Sequence, residues 1–411
     1  THLPMTDAQI RSMFGDALAS KVPSPFLVHD WRNDVVTIGT VPSSMVRDAT
    51  GGMVDREWPA QLNRLVWEKR GGGGNGRAGG DPTSSSPRPL VLSVGQVVPH
   101  EVMGMANFNK NLFVGTGGVE AINLSHFIGA VHGMERMMGR AENPLRSILN
   151  YASERYLQKE LDLWYLLTVM GTEEKTGELA MRGLYIGNDI ECYARACELS
   201  LKVNFTLLEE APRRVVVHLD EDEFHSTWLG NKAIYRTRMA IADGGELVIL
   251  APGVRQFGED PKIDELIREY GYTTTARILE AMGRSKELQE NLSAVAHLIH
   301  GSSEGRFKIT YCPGHLTKEE TEGVGFQYAD LSSALQLYKV NDLKDGWNEI
   351  TLETGEKDRF YFIRNPALGL WAVKSRFEEG NYDSNEESTV LPSSSKQDAN
   401  SSSDVGGWAK P

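Results

Sequence analysis

The sequence has few cysteines, which limits the ways in which the fold can be held together. Its 411 residues include three, Cys192, Cys197 and Cys312, an odd number without a C-x-x-C spacing. We therefore expect neither a disulfide framework nor a cysteine-rich metal site, and the pattern fits a reducing compartment. The sequence predicts a cytoplasmic protein of about two or three domains, each stabilised by an ordinary hydrophobic core.

The sequence also lacks an excess of positive charge and a long apolar run. Lysine and arginine total 43 against 56 for aspartate and glutamate, so the net charge is −13 at pH 7. Such a balance repels a phosphate backbone, and nucleic acid is not an expected partner. No stretch approaches the roughly 20 apolar residues of a membrane span, and residues 1–16 show no signal-peptide pattern. We expect a soluble protein without a membrane partner.

Strand-like and helix-like patterns alternate along the chain. Short apolar runs predict strands at 26–29 and 89–98, and in RRVVVHL, ELVILAPG and RFKITYC, which begin at Arg213, Glu246 and Arg306. Amphipathic spacing predicts helices over 6–18, 143–163, 228–242, 261–270, 274–282 and 286–300. This alternation is typical of a doubly wound α/β fold, in which ligands bind at the carboxyl ends of parallel strands. The loops HLDEDEFHST and APGVRQFGED follow two of these strands.

Two stretches have almost no apolar residues. Residues 70–89 are rich in glycine and serine, and they predict a mobile surface insertion because they cannot repay the entropy of ordering. A phosphate-binding glycine loop is the alternative, but the run has no closing Gly-Lys-Ser/Thr and opens no helix. Residues 376–411 are rich in polar residues and glycine and predict a disordered tail.

Ten histidines offer four groupings that could carry chemistry. They are His2, His100 and His126 with Lys110; His218 and His225 around the acidic run 220–223; His297 with His300; and His132 among methionines. Residue type alone favours the interpretation that the histidines of the first group are separate loop and core residues that share no site. The second could bind a divalent metal, although acidic runs usually face solvent. The third favours a buried, hydrogen-bonded pair over a shared ligand, and the fourth is given no role. Spacing alone names no reaction.

Three segments carry a resemblance to one enzyme family. PHEVMGMANFNKNLFVGTGGVEAINLSH holds a histidine, a lysine and a histidine at the family's separations, here His100, Lys110 and His126. THLPMTDAQIRSMFGD is similar to a segment in which a histidine, here His2, opens a helix. WLGNKAIYRTRMAIADGGELVILAPGVRQFGED is similar to the C-terminal domain, with Lys232 at the substrate-contacting lysine. In this order the segments resemble the nickel-pincer lactate racemases.

The resemblance implies a fold and a domain organisation. It extends from residue 1 to about residue 338, apart from the insertion. It implies two Rossmann-like α/β domains with the site in the cleft between them. We expect the remainder of the N-terminal, cofactor-binding domain at 1–205 and the C-terminal α/β domain at 206–375. The chain opens with Thr1 in a segment typical of mid-domain sequence, so we expect the family's first segment to be missing.

The resemblance also implies a cofactor and a reaction. The cofactor is a nickel-bearing pincer nucleotide, joined to the amine of Lys110, with His126 as a ligand of the square-planar nickel. The reaction removes hydride from the carbon beside a carboxylate, forms a 2-keto acid and returns hydride to the opposite face. Two bases are then needed, one for each enantiomer, and His2 and His100 occupy the matching positions. Lys232 is implied to hold the substrate carboxylate.

The implied function is a racemase or epimerase of small 2-hydroxy acids, with cofactor biosynthesis and loading proteins as partners. The sequence departs from the family where Lys110 follows Asn107 to Asn109 instead of a Gly-Gly-Arg run, which predicts a different local backbone. The loop HLDEDEFHSTW is more polar than in lactate-specific members and predicts a longer or more hydroxylated substrate.

Two other functions remain open. One is a metal-dependent hydrolase centred on His218 and His225, which would use a metal-bound water. The other is a catalytically silent nucleotide-binding homologue that keeps the fold without the cofactor.

Overall fold

The structure, a computed structural model, describes most of the chain. It covers residues 5–21, 26–68, 90–173, 179–351, 355–367 and 369–378. His2, the predicted insertion at 70–89 and the predicted tail after residue 378 lie outside the described residues. Among the helices in these ranges, none combines the length and hydrophobicity that crossing a membrane requires. The three cysteines are free and buried.

The strands of the described residues are numbered in chain order. They are β1 (Val35–Val41), β2 (Trp58–Asn63), β3 (Leu90–Gln96), β4 (Pro99–His100), β5 (Gly104–Met105), β6 (Asp162–Thr172), β7 (Leu179–Gly187), β8 (Phe205–Leu208), β9 (Arg214–His218), β10 (Glu246–Ala251), β11 (Lys308–Pro313), β12 (Gln327–Tyr328), β13 (Gly346–Thr351), β14 (Lys357–Ile363) and β15 (Leu370–Val373).

The α-helices are numbered in the same way. They are α1 (Asp7–Phe14), α2 (Asp16–Lys21), α3 (Ser43–Ala49), α4 (Arg64–Glu68), α5 (Val119–His132), α6 (Met134–Met137), α7 (Pro144–Ala152), α8 (Ile190–Asn204), α9 (Thr227–Gly230), α10 (Lys232–Tyr235), α11 (Pro261–Tyr270), α12 (Thr275–Arg284), α13 (Lys286–Glu290), α14 (Leu292–His300), α15 (Lys318–Gly323), α16 (Leu331–Tyr338) and α17 (Lys374–Glu378). Two π-helical turns lie at Asn111–Gly115 and Ser153–Leu157, and a 3-10 turn lies at Val340–Asp342.

A six-stranded sheet organises the second half of the chain. Its order is β12-β11-β10-β9-β14-β13, with the first five strands parallel and β13 antiparallel to β14. Alternate side chains point to opposite faces: Val215 and Val217 belong to one hydrophobic core, and Val216 belongs to another that includes α16. A sheet buried on both faces needs uninterrupted apolar strands, which the three predicted runs supply as β9, β10 and β11. The α/β fold class is confirmed.

Smaller sheets make up the first half. β3 is parallel to β6, β6 is antiparallel to β7, and α8 packs on this sheet. β1 and β2 form an antiparallel pair that contacts α5 and α7. The late strand β15 pairs in parallel with β8, so the end of the described chain returns to its middle. The predicted domain boundary between residues 205 and 206 stays a prediction.

One predicted strand is absent from the structure, and one predicted helix is shorter than expected. The strand predicted at 26–29 is wrong: Leu27 and Val28 are exposed, and the segment pairs with no strand of the described chain. An apolar run forms a strand only where a neighbouring strand pairs with its backbone N–H and C=O groups. The helix predicted over 143–163 ends at α7 and the π-helical turn that follows, and the chain enters β6 at Asp162.

Two other predicted helices are interrupted at an asparagine. The helix predicted over 228–242 is two single turns, α9 and α10, that meet at Asn231. The helix predicted over 286–300 breaks at Asn291, whose backbone is not helical (φ −123°, ψ 58°). The Asn291 side chain donates to the carbonyl oxygen of Glu287 at 2.8 Å, which is how asparagine competes with the helix for backbone groups.

The turn that connects β4 to β5 depends on Gly104. Its φ is +72°, and a β-carbon there would lie 1.9 Å from the carbonyl oxygen of Arg140. We expect Gly104→Ala to lower the free energy of unfolding by about 3 kcal/mol or more, because both the left-handed backbone and this contact oppose a side chain. Urea unfolding followed by circular dichroism measures the change.

Gly283→Ala is the control for this substitution. Gly283 lies in α12, and nothing outside its own helix lies within 4 Å of the added β-carbon. Alanine there should raise stability by about 0.5–1 kcal/mol. Similar effects at the two glycines would contradict the role of Gly104.

Candidate functional site

The hairpin of β4 and β5 carries the first polar groups of the site. His100 ends β4 opposite Gly104, and Glu101 follows it into the turn. The backbone N–H of Val102 donates to Nδ1 of His100 at 3.1 Å. Because a backbone N–H only donates, Nδ1 holds a lone pair, and the neutral ring carries its proton on Nε2. Burial lowers the pKa of His100 to about 3, so the ring is neutral at pH 7.

The loop after β5 has an uncommon backbone conformation. Asn107 and Phe108 have φ values of 71° and 60°, in the left-handed region that favours glycine. Phe108 stacks on Tyr193 with ring centroids 5.0 Å apart. Gly95 of β3 leaves room for the Asn107 side chain, since a β-carbon there would come within 2.4 Å of Asn107 Nδ2. The chain therefore reaches Lys110 through a strained but closely packed turn.

Arg146 of α7 holds this loop in place. Its buried guanidinium donates to the carbonyl oxygens of Met105 (2.8 Å) and Asn107 (3.4 Å), to the side-chain oxygen of Asn109 (2.5 Å) and to the hydroxyl of Tyr193 (2.7 Å). These acceptors lie in the protein interior, where a lost donor is not replaced by solvent. The loop conformation depends on this side chain.

Lys110 follows the loop and precedes the π-helical turn at Asn111–Gly115. Its side chain is half-buried. Burial lowers the pKa of Lys110, the carboxylate of Glu101 opposes this effect, and the charge of Arg146 adds to it. A lowered pKa increases the fraction of neutral amine, which is the nucleophilic form.

His126 lies on α5 and has the opposite proton arrangement to His100. Its Nδ1 is 2.7 Å from the carbonyl oxygen of Ile122. A carbonyl only accepts, so Nδ1 carries the proton and Nε2 holds a lone pair. Burial lowers the pKa of His126, and the charges of Glu101 and Lys110 also act on it. These three groups therefore share one neighbourhood.

Glu101 is the carboxylate on which the polar groups converge. Its side chain is 21% exposed, and its nearest oxygen is 3.7 Å from Nδ1 of His100. Although burial raises the pKa of Glu101, it is held well below the usual range by His100, which is protonated in the acidic range where Glu101 titrates, and by the charge of Arg236. Tyr235 lies beside both Glu101 and Arg236, and their charges act on its hydroxyl. Glu101 is therefore ionised at pH 7.

Lys232 begins α10, one turn before Arg236. Burial lowers the pKa of Lys232, the charge of Arg236 lowers it further, and Glu101 opposes both effects. Lys110, Lys232 and Arg236 thus all act on one carboxylate. The surplus of positive charge suits an anionic ligand.

Arg236 also ties the two halves of the chain together beside the site. Its guanidinium donates to the carbonyl oxygens of Pro99 (3.2 Å) and Gly369 (2.9 Å). Its own carbonyl accepts the backbone N–H of Trp371 at 3.0 Å. The position of β4, and so of His100, is therefore fixed by residues from the far end of the described chain.

Four of the five predicted site residues interact electrostatically with Glu101. They are His100, Lys110, His126 and Lys232. The fifth, His2, lies outside the described residues. The structure brings the four together, and their catalytic and cofactor-binding roles stay predictions.

The structure adds residues that sequence reasoning missed. They are Glu101, Arg146, Tyr235 and Arg236. Two of these residues could have been found because they neighbour predicted site residues: Glu101 follows His100, and Arg236 lies one turn after Lys232. Arg146 gave no signal because it bonds to main-chain and side-chain groups 37 to 47 residues away.

The histidines around the acidic run do not form a metal site. Within the described ranges, no group of three or more His, Cys, Asp or Glu side chains could hold a metal. The side chain of Asp220 accepts the backbone N–H of Asp222 at 2.9 Å. His218 lines a cavity of about 400 Å³ with Arg364, and His225 is not part of its lining. This finding concerns sites built from several side chains, not a metal held by one histidine.

A larger cavity, of about 590 Å³, lies at the amino ends of β9, β10 and β11. Its lining includes Arg214, Lys308, Arg359, Glu246 and Asp358. Glu246 pairs with Arg214 at 3.1 Å and with Lys308 at 3.0 Å. These charges neutralise one another inside the cavity, and we assign it no ligand.

Comparisons with known proteins bear on the fold alone. The chain is similar to a crystal structure of a protein from Thermotoga maritima, with a TM-score of 0.71 and 22% identity over 91% of this chain and 84% of that chain. It is also similar to the lactate racemase apoprotein from Thermoanaerobacterium thermosaccharolyticum, with a TM-score of 0.63 and 16% identity over 90% of this chain and 76% of that chain. No protein-family model and no curated protein sequence matches it. The chain has a lactate racemase-like fold.

Replacing Arg146 tests what holds the loop before Lys110. Arg146→Met should lower the free energy of unfolding by about 3 kcal/mol or more, because each buried bond to a charged donor is worth about 1.5–3 kcal/mol. Guanidinium chloride unfolding measures the change.

Arg284→Met is the matched control. Arg284 pairs with Glu280 on an exposed face of α12, and such pairs contribute about 0.3–0.5 kcal/mol. A loss at Arg146 no larger than that at Arg284 would show that the loop is held by other contacts.

Proposed function

We propose that this chain is a racemase or epimerase of 2-hydroxy acids that works through a covalently bound nickel-pincer nucleotide. The observation that carries the proposal is the convergence of Lys110, His126, His100 and Lys232 on Glu101. The similarity to a lactate racemase fold supports it. The surplus of positive charge suits both a substrate carboxylate and a nucleotide phosphate.

The residues present fit the cofactor in two respects. The lowered pKa of Lys110 favours the neutral amine that a covalent thioamide link requires. The lone pair on Nε2 of His126 is what a metal ligand offers, and the hydrogen bond from Nδ1 to Ile122 fixes this tautomer. When bound, the cofactor supplies a hydride acceptor.

The other predicted residues would bind the substrate and move its proton. Lys232 would hold the carboxylate and so orient the reacting carbon. His100 and His2 would each exchange a proton with the substrate hydroxyl, one for each enantiomer. Accepting this proton at Nε2 of His100 requires the tautomer with a proton on Nδ1, and the ring would have to leave the backbone N–H of Val102 to adopt it.

Two alternatives are separable from this function by measurement. The metal-dependent hydrolase has no supporting metal site in the described residues, and zinc or manganese without a covalent adduct would favour it. The catalytically silent homologue would carry neither adduct nor nickel. We also propose that dedicated proteins build and load the cofactor. The metal and the adduct are therefore measured on protein that is expressed together with them.

Removing the linking amine is the first test. In the cofactor-loaded protein, Lys110→Ala should abolish both the covalent adduct and turnover. Lys110→Arg should do the same, because a guanidinium does not form the link. Intact mass reports the adduct, metal analysis reports nickel, and chiral chromatography reports the interconversion of enantiomers.

His225→Ala is the control for these variants, and it should leave nickel content and turnover unchanged. Turnover retained in either Lys110 variant would exclude the pincer mechanism. Loss of the metal in His225→Ala would favour the hydrolase site.

Alanine variants of His2 and His100 should separate the two stereochemical directions. Inversion would place the substrate hydroxyl at two positions, and one imidazole cannot reach both within the roughly 2.6–3.2 Å that proton transfer demands. Each variant should lose racemisation yet still form bound keto acid from one enantiomer, which stopped-flow absorbance of the cofactor detects. Near-normal racemisation in both variants, or equal inactivity towards both enantiomers at full nickel content, would overturn the paired assignment.

A further inference from the structure

Two histidines one turn apart on α14 differ in their hydrogen bonding. His297 and His300 are 6% and 4% exposed. Burial lowers their pKa values to about 3 and about 4, so both rings are neutral at pH 7. Because the two share a helix, a residue type and a degree of burial, a difference in their partners is informative.

His297 is satisfied within the protein. Its Nε2 is 2.9 Å from the hydroxyl of Tyr272, which is 2.7 Å from the hydroxyl of Thr227. Trp228 packs on the ring with centroids 4.5 Å apart. His297 has the hydrogen bond expected of a structural core histidine.

His300 has no such bond. Its Nε2 is buried and has no hydrogen-bond partner among the residues that the structure describes. An unpaired polar atom in the interior destabilises the folded protein, because it has lost its hydrogen bonds to water. A ligand that pairs with this atom recovers that free energy on binding.

His300 lies beside the candidate site. Its ring contacts that of Tyr235, with centroids 6.2 Å apart, and Tyr235 interacts electrostatically with Glu101. The charges of Glu101 and His126 act on His300. The helix α14 also packs against α5, which carries His126. The unpaired nitrogen therefore belongs to a residue that borders the groups predicted to hold cofactor and substrate.

We propose that His300 binds a further hydroxyl group of the substrate, and so selects 2-hydroxy acids that carry a second hydroxyl. This inference rests on the proposed function. There, Lys232 is assigned to the carboxylate and His2 and His100 to the 2-hydroxyl group, which leaves Nε2 of His300 for another polar group.

A hydroxyl group fits this nitrogen better than a second carboxylate does. A neutral imidazole presents Nε2 as a donor or as an acceptor, according to its tautomer. A hydroxyl group satisfies either form, whereas a carboxylate satisfies only the donor. The polar loop at 218–228 predicts the same substrate class from the sequence.

Lactate and glycerate form a matched pair of probes, since they differ by one hydroxyl group at C3. Isothermal titration calorimetry of the purified, cofactor-loaded protein with both enantiomers of each gives the ratio of their Kd values. We expect glycerate to bind about tenfold more tightly than lactate, as one added hydrogen bond would produce. His300→Phe should bring this ratio close to one.

His297→Phe is the matched control on the same helix. It removes the bond to Tyr272 and should lower Tm, but it should preserve the preference for glycerate. Circular dichroism checks that each variant folds, and His300→Leu replaces His300→Phe if the larger ring unfolds the protein.

The outcomes separate this inference from the function on which it rests. Binding of neither ligand to the unmodified protein would overturn the 2-hydroxy acid function, and this inference with it. Equal binding of both ligands, or a preference for glycerate that survives in His300→Phe, would overturn the role of His300 alone. Equal loss of the preference in both histidine variants would show that the ratio reports the packing of α14, and would also overturn that role.

Discussion

The hydrogen bonds from Arg146 to the loop after β5 are the interaction on which the candidate site depends. Two non-glycine residues in the left-handed region cost about 1–3 kcal/mol each. The guanidinium bonds, at about 1.5–3 kcal/mol each, are of the size needed to offset that cost. Stacking of Phe108 on Tyr193 adds to them. The direction in which the chain arrives at Lys110 is thus set by a side chain on another helix.

The main chain also decides where protons lie in the site. A backbone N–H gives His100 its lone pair on Nδ1, and a backbone carbonyl gives His126 its proton there. Burial keeps both rings neutral, so each tautomer is determined by one fixed dipole. Two identical side chains in one neighbourhood therefore present different atoms to a ligand: Nε2 of His100 donates, and Nε2 of His126 accepts.

The parts of the fold that could be predicted are those whose burial leaves a pattern in the sequence. The strands β9, β10 and β11 are apolar on both faces, so each reads as an uninterrupted run. The breaks at Asn231 and Asn291 could not be predicted from spacing, because the flanking residues keep helical periodicity. The site histidines were found through resemblance, since they share no element. Arg236 lies one turn after Lys232, but its contact with Pro99, 137 residues away, could not be predicted from the sequence around it.

The pairing of β15 with β8 gives the protein an order of assembly. On the ribosome the hairpin that bears His100 emerges early, and Arg236 follows it, but the carbonyl of Gly369 that anchors this arginine is synthesised after the whole six-stranded sheet. Closing such a distant contact is entropically costly and slow. A nascent chain therefore contains most of the site's side chains before it contains the residue that anchors Arg236.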